Sequence, residues 1–143
     1  MTQEDNKFLL IKDLYARAPY HPIVSVACWE YDWTECKNKL VWNNEELDST
    51  LLYENQIEDD DAWEYIKSYL RPMSNMTEEE KEEYEKVCEL DTEILTKHPM
   101  NGEPFPALYN SIDWLNKNHF DYRGLIEKGL AIEVTKENNP YEN

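Results

Sequence analysis

The sequence predicts an α+β fold, a small antiparallel sheet covered by four to five helices, and three observations lead there. Apolar residues alternate through IVSVACWEYD, Ile23 to Asp32, which is the period of a half-buried strand. Two further β-rich pieces, KNKLVWNN and STLLYEN, follow it across polar turn residues such as Asn43 and Asn44, completing a three-stranded meander over about residues 23–55. Elsewhere the apolar residues recur at helical spacing behind recognisable start signals, as in Thr77-Glu78-Glu79-Glu80.

The elements follow in order. Phe8, Leu9, Ile11, Leu14 and Tyr15 recur every three to four residues behind Glu4 and Asp5, with a stop at Pro19, which predicts a helix over roughly 4–16. After the meander, Glu58, Asp59, Asp60 and Asp61 precede Ala62, Trp63, Ile66, Tyr69 and Leu70, and Pro72 follows. That order suits a short helix with acids at its positive end. Consecutive acids at a helix start point in different directions, so this cluster is read as dipole stabilisation and not as a metal site. Thr77 opens a helix over about 78–96 with an apolar stripe of Tyr84, Val87, Cys88, Ile94 and Leu95. HPMNGEPFP is a loop, and Leu108, Ile112 and Leu115 mark another helix ending near 116–118. Asp121 reads as the N-cap of a last helix carrying Tyr122, Leu125 and Ile126, closed by Gly129 with Leu130 folding back on Leu125. Leu130, Ile132 and Val134 then alternate as a C-terminal strand able to join the edge of the meander. Residues 1–135 form one domain, and 136–143 read as a loose tail.

Composition narrows the function classes. The 143 residues carry 31 Asp or Glu against 14 Lys or Arg, a net charge of −17, spread evenly over both halves. Each phosphate contact needs a Lys or Arg, so direct binding to nucleic acid or to anionic lipid is disfavoured, and a partner with a basic surface is favoured. No run approaches the ~20 apolar residues of a membrane span, and the N-terminus lacks the design of a secretory signal, so a cytoplasmic location is expected. Cys28, Cys36 and Cys88, odd in number and irregularly spaced, read as buried free thiols and not as a disulfide or zinc framework.

Phosphate-binding glycine motifs, the zinc-protease motif, the serine-nucleophile elbow and the calcium-loop pattern are all missing, so no catalytic residue, metal ligand or cofactor is nominated. Two segments stand out. YLRPMSNM and NHFDYRG each place an Arg among aromatic or Met side chains, the mixture that interface hot spots favour. They nominate Arg71, Met73, Trp114, His119, Tyr122 and Arg123 as binding residues, with internal ion pairing as the competing use of the two arginines.

Three stretches, LLIKDLYARAPY, IKSYLRPMSNMTEEEKEEYEKV and DWLNKNHFDYRGLIEKGLAIE, together a little over a third of the chain, resemble a family of small proteins encoded by phages and prophages of gut anaerobes. The chain departs from that pattern at His21-Pro22, where a Gly-Val pair is expected. The resemblance implies provenance and carries no activity. The expected function is a small acidic phage or prophage accessory protein that binds a host or phage protein, one form being interference with host defence. Two alternatives stand beside it: a DNA-mimicking inhibitor of a nucleic-acid-binding protein, and a ligand- or nucleotide-binding protein or enzyme with a pocket around Trp114, His119, Tyr122 and Arg123.

Overall fold

Helix α1, Gln3–Arg17, begins where Thr2 and Asp5 form a reciprocal capping box: the Thr2 hydroxyl accepts from the Asp5 amide at 3.1 Å, and the Asp5 carboxylate accepts from the Thr2 amide at 3.1 Å. The computed structural model describes residues 2–54, 61–97 and 110–141. The inward face of α1 is Leu10, Asp13, Leu14 and Arg17, at helical spacing. The expected stripe is therefore rotated. Phe8 and Tyr15 lie exposed, and two charged residues take core positions.

Strands β1, Ile23–Asp32, and β2, Lys37–Glu46, pair antiparallel along their whole length. The turn between them is set by Asp32, whose carboxylate accepts from the Thr34 amide at 2.9 Å, and Cys36 adopts φ 55°. Only Val24–Val26 of β1 pair with a further strand, so residues beyond Ala27 leave the sheet as a two-stranded arm.

The third strand is not the expected one. STLLYE forms helix α2, Ser49–Glu54, because Asp48 caps it: its carboxylate accepts from the Leu51 amide at 2.7 Å. Leu52 turns into the core. The expected helix after the acidic cluster is instead a short 3-10 turn, Ala62–Tyr65, followed by strand β3, Ile66–Pro72. Ile66, Ser68, Tyr69 and Leu70 are all buried, so both faces of β3 are covered and its period is lost from the sequence. Of the acidic cluster, Glu58 to Asp60 lie outside the described residues.

β3 is the hub of a mixed sheet. It pairs antiparallel with β1, and parallel with β4, Phe120–Asp121, and β5, Ala131–Glu133. The C-terminal strand thus joins β3 and not a meander edge. The α+β class holds, with four α-helices among the described residues and five strands in the sheet.

Helix α3, Glu78–Lys97, opens on the expected capping box, with the Thr77 hydroxyl accepting from the Glu80 amide at 3.1 Å and the Glu80 carboxylate accepting from the Thr77 amide at 3.1 Å. The side chains of Ile94 and Leu95, the loop HPMNGEPFP and Leu108 lie outside the described residues. Helix α4, Asn110–Lys117, is capped from α3: the Asp91 carboxylate accepts from the Ser111 amide at 2.9 Å. Met76, Trp114, Leu115 and Phe120 make a small core between them, beside a larger one built from α1, β1, β3, Leu47, Leu52, Trp63, Leu125 and Leu130.

The expected last helix from Tyr122 does not form. Gly124 takes φ 74°, a left-handed conformation that interrupts a helix at its first turn. The Asp121 carboxylate still caps, but it accepts from the Leu125 amide at 2.9 Å and the Ile126 amide at 3.0 Å, starting a single turn. The expected Schellman ending closes that turn: Gly129 has φ 72°, and the amides of Leu130 and Gly129 donate to the carbonyls of Leu125 and Ile126 at 2.9 and 3.1 Å. Within the expected tail, the Tyr141 hydroxyl donates to the Tyr69 carbonyl at 2.9 Å and accepts from the Ile23 amide at 2.9 Å.

Candidate functional site

Arg71, next to last in β3, grips Glu80 with both terminal nitrogens, at 2.8 and 2.6 Å, while its guanidinium lies 4.2 Å from the centre of the Phe120 ring. Arg71 together with the Thr77 amide and hydroxyl holds the Glu80 carboxyl down at about 2, against a burial effect that opposes them. One of the two nominated arginines is therefore matched by an acid, and the other is too. Arg123 donates from Nη1 to Asp13 at 2.7 Å, and its side chain is only 17% exposed.

Trp114 belongs to the smaller core and Tyr122 packs against it. Trp114 stacks on Phe120 at 5.7 Å and packs against Tyr84 at 5.3 Å. Tyr122 donates to the Asn116 side-chain carbonyl at 2.8 Å, and the Arg123 and Arg17 guanidiniums lie 4.8 and 5.2 Å from its ring centre. Of the pocket expected around Trp114, His119, Tyr122 and Arg123, the cleft at the end of β3 takes in His119, while Trp114 is packed, Tyr122 is hydrogen-bonded to Asn116 and Arg123 is paired with Asp13. Met73, in the 3-10 turn Met73–Asn75, is exposed and is not among the residues that line that cleft.

His119 holds φ 64° between α4 and β4, and its ring stacks on Tyr141 at 4.0 Å, nearly parallel. Burial, reinforced by the positive charges of Arg17 and Arg71, lowers its pKa to about 4, so the imidazole is neutral at pH 7. Burial likewise pushes the Tyr141 hydroxyl up to about 12. With Arg71, Lys117, Lys136 and Asn139 these two rings line a polar cleft of roughly 590 Å³. Sequence reasoning found Arg71 and His119 and missed Lys117 at the end of α4 and the opposite wall, which comes from the tail.

A second surface was also missed. Opposed pairs on one face of the arm are Ala27 with Trp42, Trp29 with Leu40, and Tyr31 with Asn38. Trp29, Tyr31 and Trp42 are exposed there, and Trp33 at the tip is 83% exposed with its ring edge-on to Tyr31 at 4.6 Å. Alternation foretold these faces but not that one of them stays exposed among the described residues. Two of the three thiols expected to be buried share this exposure: Cys28 stands on the arm and Cys36 in its turn, while Cys88 is half-buried, and all three are free.

Among the described residues no group of three or more His, Cys, Asp or Glu is placed to hold a metal ion, and no helix is long and apolar enough to cross a membrane. Set against protein-family models, curated proteins and solved structures, the chain matches none of them.

Proposed function

We propose that the protein works by binding another protein, laying the aromatic face of the β1–β2 arm into an apolar groove with a basic rim. The observation that carries this reading is the row of Trp29, Tyr31, Trp33 and Trp42 left exposed on a hairpin that extends past the sheet. Large aromatics are costly to leave in water and are the side chains that dominate interface energetics. The basic rim follows from the arm's own charge, five carboxylates against two lysines between Ile23 and Glu46, and from the exposed glutamates of α3. The resemblance to phage and prophage proteins supports an accessory role, with a host protein, including one of a defence system, as the partner.

Affinity capture from the bacterial host, followed by crosslinking, tests this with wild type and the Trp33→Ala/Trp42→Ala variant. Both tryptophans are exposed, so the variant should melt as wild type does, within about 0.5 kcal/mol per site. A partner crosslinked to the arm in wild type should be lost in the variant, and its capture should weaken as salt shortens the screening length from ~10 Å towards ~3 Å. Equal capture by both proteins, or an arm buried in a homodimer, refutes the reading.

A further inference from the structure

Acids outnumber bases in this chain by roughly two to one, yet the cleft beside β3 reverses the ratio. Among the described residues its walls contain Arg71, Lys117 and Lys136 and no carboxylate. Arg71 is already matched by Glu80. Lys117 and Lys136 are exposed, and among the described residues neither ammonium has a carboxylate within ion-pair distance. Two uncompensated cations in a chain of net charge −17 are what a bound anion would neutralise. The stacked rings of His119 and Tyr141 give the same cleft an aromatic surface, and the His119 imidazole adds no charge there at pH 7.

We infer that this cleft binds a small organic anion, its phosphate or carboxylate group held by Lys117 and Lys136 and its body lying beside His119 and Tyr141. Size supports the assignment, since roughly 590 Å³ falls within the ~300–1,000 Å³ of small-molecule sites. Range decides against a polymer. At physiological ionic strength charges beyond about 8 Å are largely screened, so the two lysines govern a compact anion in the cleft, whereas a nucleic-acid strand running out of it meets the acidic surface. The site is separate in residues from the arm, so either can fail without the other.

The test is titration of the full chain with adenosine monophosphate, with citrate, and with uncharged adenosine, read by calorimetry and by the resonances of His119 and Tyr141. At least one of the two anions should bind saturably, adenosine more weakly, and the exposed pair substitution Lys117→Gln/Lys136→Gln should weaken that anion about tenfold or more, about 1.4 kcal/mol. Its thermal midpoint should match wild type. Binding of adenosine monophosphate alone assigns a phosphate, and of citrate alone a carboxylate. Absence of binding by both at about 1 mM, or equal binding by the double variant, overturns the inference.

Discussion

Asp13 is the residue on which the two ends of the chain meet. Fully buried on α1, its carboxylate accepts from Arg17 Nε at 2.8 Å and from Arg123 Nη1 at 2.7 Å, while Arg17 Nη2 donates to the Phe120 carbonyl at 2.6 Å. One carboxylate thus compensates two guanidiniums, one of them wholly out of water. Removing a member of such a network leaves buried charge unmatched, which outweighs the modest net value of the pair itself. Asp13→Asn keeps the shape and removes the charge, so it should cost about 3–5 kcal/mol in urea denaturation. Arg123→Ala should cost less, about 1–3 kcal/mol, because Asp13 keeps Arg17. An Asp13→Asn protein within about 0.5 kcal/mol of wild type would mean that the network is not stabilising. The sequence hides this arrangement, since a charged pair at positions i and i+4 normally reads as the wet face of a helix.

Elements with their own end signals were legible, and elements defined by what covers them were not. The capping box at Thr77 and the Schellman ending at Gly129 are local hydrogen-bond patterns, and each is found where its residues stand, whereas Asn43 and Asn44, expected as turn residues, run inside β2. α2 and β3 exchanged identities because apolar residues in STLLYE and IKSYLRP fit either period; Asp48 was the overlooked cap, and burial on both faces erased the alternation of β3. The candidate cleft was half legible for a similar reason: Arg71 and His119 are conspicuous in an acidic chain, but Tyr141 joins them through long-range contacts, hydrogen bonds to Ile23 and Tyr69 and the stack on His119. The turn after β4 yields a ranked prediction. Leu125 is fully buried, so Leu125→Ala should cost about 2–5 kcal/mol. Gly129→Ala meets no neighbour within 4 Å, yet forces a side chain into φ 72°, at about 1–2 kcal/mol. Asp121→Ala loses a cap, about 1 kcal/mol. Chemical denaturation of the three variants should return that order, and Gly129→Ala equal to wild type would remove the left-handed turn from the account.

For the molecule as a whole, acid should act through two local groups and one global field of opposite sign. His119 is neutral in the fold down to about 4 but protonates near 6.5 when unfolded, so the unfolded chain takes up more protons between those values and stability falls as pH drops from about 6.5 to 4. Glu80 is ionised in the fold down to about 2 and near 4.5 otherwise, so its contribution is complete above about 4.5 and is lost as pH drops towards 2. The net charge of −17 works the other way, because approaching the isoelectric point near 4.4 relieves self-repulsion. Salt separates them. At about 1 M salt the screening length is ~3 Å and the global term fades, whereas the buried His119 ring and the Arg71–Glu80 contact are little affected. Stability measured at high salt should therefore decline steadily from pH 6.5 to 2, and at low salt the upper part of that decline should flatten. His119→Asn, which keeps a residue tolerant of φ 64°, should remove the slope between 6.5 and 4 only. Glu80→Gln should reduce the slope below 4.5 only, from a lower starting stability, with Asp5, whose carboxyl the Thr2 hydrogen bonds hold low, keeping a remainder. A high-salt profile that is flat across both windows in wild type would show that neither the His119–Tyr141 stack nor the Arg71–Glu80 pair is closed in solution as the structure has it.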